Sequence, residues 1–119
     1  MTNNTFRILP DPVDGMEQSK TVQKESFTTD DHSEFKKNFY LNSDNSILAG
    51  VWECAPSRLE FDDYPDDEMM TIISGSVTLT NSDGQAEVFN AGDVLFVSKG
   101  SKFSWEITET LRKYYMIST

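Results

Sequence analysis

From residue 46 onward, short apolar runs alternate with turn-forming clusters about every ten residues, and a chain punctuated in this way is bound for an antiparallel β-sandwich or barrel. Strands are expected over residues 47–53, 58–61, 68–73, 76–80, 86–89, 94–97, 102–107 and 111–117. The firmest turn is Asn81-Ser82-Asp83-Gly84, where Gly84 can adopt positive φ and close a hairpin. Asn90-Ala91-Gly92-Asp93 and Ser98-Lys99-Gly100 supply the next two reversals. No helical periodicity of useful length follows residue 46. The segment 33–40 reads equally as one helical turn or an irregular strand.

With 119 residues the chain can build one core and not two. Twenty acidic against ten basic side chains give a net charge of −10, a field that repels nucleic acid and anionic lipid headgroups, so neither is expected as a partner. No apolar run approaches the roughly 18 residues needed to span a bilayer, and the first residues lack a basic start followed by an apolar stretch. A cytoplasmic location is the corresponding expectation. The single cysteine, Cys54, has no internal disulfide partner and reads as a small buried hydrophobe. Residues 1–26 are polar and poor in large apolar side chains, which predicts a flexible or partner-ordered arm ahead of one barrel domain over 27–119. Such an arm, together with edge strands, favours a homodimer.

Two runs carry a family signature: Glu68-Met69-Met70-Thr71-Ile72-Ile73-Ser74-Gly75 and Gly92-Asp93-Val94-Leu95-Phe96-Val97-Ser98-Lys99-Gly100. They resemble the paired motifs of cupins. More narrowly, Trp52-Glu53-Cys54-Ala55-Pro56 and the stretch from Ser104 to Lys113 resemble the single-domain cupins grouped with ureidoglycine aminohydrolase. The resemblance covers about residues 50–117 and rests on several motifs in order. It implies an all-β fold of the cupin type, a double-stranded β-helix or jelly-roll barrel, with Glu68 directed into its cavity.

A metal-loaded cupin of this kind carries two histidines ahead of the glutamate and one three residues after the final glycine. Here those places fall on Phe61 and Asp63, or on Asp62 and Tyr64 if the spacing is one shorter, and on Phe103. Ser98 replaces the usual motif proline, and the only histidine, His32, lies far upstream in an acidic surface-like segment. Glu68 alone remains. Borderline first-row metals prefer imidazole nitrogen, so no transition-metal cofactor is expected.

Strand alternation puts Glu68, Met70 and Ile72 on one face and Phe103, Trp105 and Ile107 on one face of their own strand. Inside a barrel these side chains would make an apolar, aromatic cavity with one carboxylate, the usual make-up of a small-molecule site. Trp52, Phe61, Met70, Phe103 and Trp105 are the candidate ligand contacts, although Trp52 and Trp105 are more often core fillers than ligand platforms. The ligand expected is a small organic molecule such as an acid, amide or sugar derivative. A buried carboxylate needs a proton or a cation beside it, and Lys113, Arg112 and Arg58 are the available cations. The acidic segment 60–68 reads as a solvated turn, with a hard-cation site as the alternative.

Three functions fit these residues. The first is a cupin that binds a small metabolite without a metal. The second is an enzyme of the aminohydrolase, isomerase or epimerase kind, with Glu68 as acid or base and Tyr64 or Lys113 as its counterpart. The third is a dimeric interaction module whose barrel is filled. A barrel of this kind hosts many chemistries, so the fold does not choose among them.

Overall fold

The computed structural model describes residues 5–19, 22 and 33–119. Eight strands make up the described regular structure: β1 (Glu17–Gln18), β2 (Glu34–Leu41), β3 (Ile47–Cys54), β4 (Ser57–Phe61), β5 (Asp67–Asn81), β6 (Ala86–Asn90), β7 (Val94–Val97) and β8 (Phe103–Ser118). No helix long and apolar enough to cross a membrane occurs among the described residues. Every strand pairing is antiparallel, in the order β1-β2-β3-β8-β5-β6, with β4 added on β8 and β7 on β5. This is the all-β cupin barrel that the sequence motifs imply.

Two long strands organise it. The β8 strand pairs with β4 through residues 103–107 and with β3 through residues 111–118, while β5 pairs with β7 through residues 68–71 and with β6 through residues 76–80. One layer is β2-β3 and β7 on the first half of β5 and the second half of β8, the other is β4 and β6 on the remaining halves, so β5 and β8 each belong to both layers. The sequence reading splits β5 into 68–73 and 76–80 and β8 into 102–107 and 111–117; both are continuous instead. The cause in β5 is Gly75, which reads as a stop but sits at φ +87° in an irregular stretch of the ladder. Buried positions before it are even-numbered (Glu68, Met70, Ile72) and the buried position after it, Val77, is odd-numbered. The extra residue thus restores the inward face for the second layer, which is what a bulge does. A Cβ on Gly75 would lie 2.1 Å from the carbonyl oxygen of Thr110.

The segment 33–40 takes the irregular-strand alternative, as β2, with a register shift between Asn38 and Tyr40. Residues of the expected arm lie along the barrel. Phe6 packs edge-on against Tyr40, Arg112 bonds to the Pro10 carbonyl and the Asp11 carboxylate, and β1 pairs with the beginning of β2. His32 lies outside the described residues. The core consists of Val51, Trp52, Cys54, Leu59, Met70, Ile72, Val77, Trp105, Ile107 and Leu111, with Leu95, Val97, Phe103 and Tyr115 beside them.

Candidate functional site

Glu68 enters the barrel because the alternation of β5 leaves it no outward option, and it is 4% exposed. Its carboxylate is answered from two directions. Lys113 Nζ on β8 donates to Oε2 at 2.8 Å, and the Tyr64 hydroxyl donates to Oε1 at 2.6 Å. Both the lysine and the glutamate side chains are buried. The Lys113 ammonium also lies 4.6 Å from the ring centroid of Trp52 and 4.9 Å from that of Trp105, with the Met70 sulfur at 3.3 Å. Carboxylate, thioether and two indole faces together stabilise the charged amine against burial.

Tyr64 is held in place by the second glycine motif. Gly100, at φ +87°, donates its N–H to the Tyr64 carbonyl at 2.8 Å, and the Tyr64 N–H donates to the Ser101 carbonyl at 2.9 Å. Burial, and then the neighbouring Glu68 charge, push the Tyr64 phenol far above its ordinary value, so it stays protonated and remains a donor. Its ring packs with Phe61 and Phe103 at centroid separations of 5.0 and 5.3 Å.

These groups border a cavity of about 290 Å³. Trp52, Phe61, Tyr64, Glu68, Trp105 and Lys113 line it. Met70 stands behind the Lys113 amine, and Phe103 lies in the aromatic cluster; neither borders the cavity. Val22, Leu48, Leu59, Tyr115 and Ile117 complete the apolar wall, and Lys36, Asn45, Asp66 and Thr119 the more polar part. Burial, then the Glu68 charge, hold the Asp66 carboxyl above its usual range. Of the three cations weighed for Glu68, only Lys113 reaches it. Arg112 faces outward to Glu53 and Asp11, and Arg58 lies beside Glu60 and Glu106.

One functional group escapes sequence reasoning. Glu34, 1% exposed, accepts hydrogen bonds from Trp52 Nε1 at 2.8 Å, Ser19 Oγ at 2.8 Å and the Val22 N–H at 3.3 Å. It fixes the indole that forms one cavity wall and ties part of the N-terminal segment to it. No local signal marks it, because its donors come from 18 positions downstream and from the segment before it.

The residues present do not fit a transition metal. Phe61 and Phe103, at histidine places of a metal-loaded cupin, present rings 5.3 Å apart and no donor atom. At the alternative place Tyr64 spends its hydroxyl on Glu68, and an ammonium stands where a cation would meet that carboxylate. Among the described residues no three His, Cys, Asp or Glu side chains converge as a metal site.

The EutQ-like cupin domain model matches residues 41–115. Among solved structures, a protein of unknown function of the DUF861 family from Pseudomonas syringae pv. tomato superposes with a TM-score of 0.84 at 22% identity, over 93% of this chain and 46% of its own length. This chain thus spans under half of that relative. The EutQ protein of Clostridium difficile gives 0.62 at 19% identity, over 82% of this chain and 79% of that one. A DUF861-family protein from Thermotoga maritima gives 0.51 at 32% identity, over 55% of this chain and 73% of its own. No curated protein matches the sequence.

Proposed function

Because the chain belongs to the EutQ-like cupin family and its retained glutamate is held by a lysine and a tyrosine, we propose that its barrel binds a small organic molecule without a metal. The observation that carries this reading is the cavity itself. Its 290 Å³ is about twice the roughly 150 Å³ void that admits benzene, and its walls are mostly aromatic and aliphatic. That space argues against a barrel that is merely filled core. The test is a search for the bound molecule. Organic extraction of the purified protein, followed by mass spectrometry, should release a stoichiometric small molecule from wild type and none from Leu48→Trp, whose added ring occupies the cavity. Equal recovery from both proteins, or none from either, rejects the reading.

A second reading has one observation behind it. Tyr64, Glu68 and Lys113 form a continuous hydrogen-bonded chain on the cavity wall, the grouping an acid–base enzyme of the isomerase or epimerase kind would use. Under it, Glu68→Gln abolishes turnover of the extracted molecule and leaves its binding intact. An aminohydrolase reaction assisted by a metal is not supported by these side chains.

A homodimer belongs to the same proposal. Phe96, Met69 and Met116 are neighbours across β7, β5 and β8 and are 62%, 44% and 52% exposed, an apolar row that a second copy would cover. A mass of one chain in sedimentation equilibrium rejects the dimer.

A further inference from the structure

The two buried charges at the cavity have already satisfied each other. The Lys113 ammonium meets the Glu68 carboxylate, the Met70 sulfur and two indole faces, and the other Glu68 oxygen is taken by Tyr64. The other two charged side chains on the lining, Lys36 and Asp66, are only partly buried. A ligand with its own full charge would therefore bring an ion into an apolar space whose buried counter-charges, Lys113 and Glu68, are committed to each other, and burying an unpaired ion is strongly unfavourable. The net charge of −10 adds a general repulsion for anions.

Two further features narrow the shape and polarity of the occupant. Trp52, Phe61, Tyr64 and Trp105 present ring surfaces, which suit stacked or edge-to-face contact with another flat ring. Trp105 borders the cavity at 3% exposure, and its indole N–H is buried without an acceptor among the described residues. A buried donor left unpaired is costly, so an occupant that brings one acceptor oxygen gains more than a bare hydrocarbon.

Building on the binding reading above, we propose that this cavity selects an uncharged, flat, ring-bearing molecule with a single neutral oxygen, such as a phenol or an aryl ketone, over carboxylates and ammonium ions of the same size. The ion pair on the wall is the selectivity device: it gives polarity without leaving a charge for the ligand to neutralise.

Calorimetric titration at pH 7 with 2-naphthol, naphthalene, 2-naphthoate and 2-naphthylmethylammonium tests it. Naphthol should bind at least about tenfold more tightly than either ion, a difference of about 1.4 kcal/mol. In Trp105→Phe, which keeps a ring and removes the N–H, the preference for naphthol over naphthalene should shrink severalfold. If either ion binds as well as naphthol or better, the charge argument is overturned while the cavity remains a binding site. If Trp105→Phe keeps the full preference for naphthol over naphthalene, the oxygen assignment is overturned. If none of the four probes binds, this proposal falls, and the extraction from wild type decides whether the binding reading beneath it falls too.

Discussion

Lys113 and Glu68 make contact at 2.8 Å although they are not opposite each other in the sheet: Glu68 pairs with Ile117, and Lys113 with Ile72. Four residues of strand separate the two levels, about 13 Å of rise, so the lysine stem runs along the barrel interior before its amine reaches the carboxylate. The contact therefore joins two levels of the barrel and crosses the cavity wall.

Removing one partner of that pair leaves the other charge buried and uncompensated. Glu68→Gln and Lys113→Met should each lose about 3–5 kcal/mol of stability, whereas the double change Glu68→Leu with Lys113→Met should lie close to wild type. Urea denaturation of the four proteins measures this. Single variants as stable as wild type would show that the pair contributes little and would leave Glu68 free for a purely functional role.

Tyr64→Phe tests the donor on the other carboxylate oxygen. A hydrogen bond to a charged group contributes about 1.5–3 kcal/mol, so a loss of that size is expected at neutral pH. The pH dependence follows from the raised phenol value. The unfolded tyrosine ionises near pH 10 and the folded one does not, so the stabilisation is complete below pH 10 and is lost as pH rises above it. Tyr115 is shifted in the same direction, by burial first and then by the Glu68 charge. Wild type should thus lose stability steeply above pH 10, and Tyr64→Phe should flatten that slope. An unchanged slope in the variant would contradict the assignment.

Asp66 has the opposite meaning for neutral pH. Its folded value is raised above 3.8, so its contribution is fully present below that pH and is lost as pH rises through the folded value. Asp66→Asn should melt higher than wild type at pH 7 and at the same temperature near pH 3. A lower melting temperature at pH 7 would mean that the Lys99 charge outweighs burial and the Glu68 field.

Glu34 is the anchor of the Trp52 wall. Glu34→Leu leaves the Trp52 and Ser19 donors without this acceptor, at a cost of about 1–3 kcal/mol each, and should speed hydrogen exchange of the Val22 amide while β5 and β8 amides stay protected. Unaltered exchange at Val22 would show that the carboxylate does not hold this segment.

Much of the barrel is legible in the sequence because its turns are local. Gly84, Gly92 and Gly100 all adopt the positive φ that their turn positions require. The inward faces of residues 68–72 and 103–107 follow from period-two alternation alone. The same alternation separates the cations that composition leaves tied: Leu111, Lys113 and Tyr115 face in, so Arg112 must face out. What escapes is non-local. The continuity of β5 through Gly75 depends on the backbone of Thr110 lying against it, and the role of Glu34 depends on donors brought from separate parts of the chain. Cavity membership is non-local too, which is why Met70 and Phe103 share the inward face without touching the open space.

The sharing of β5 and β8 between both layers governs how the interior can exchange its contents. A two-layer sandwich joined only by loops could part like the covers of a book, but here two continuous strands, paired with each other, pass from one cover into the other. Separating the layers would require breaking both at once. The contents of the cavity must therefore exchange without a hinge between the two sheets.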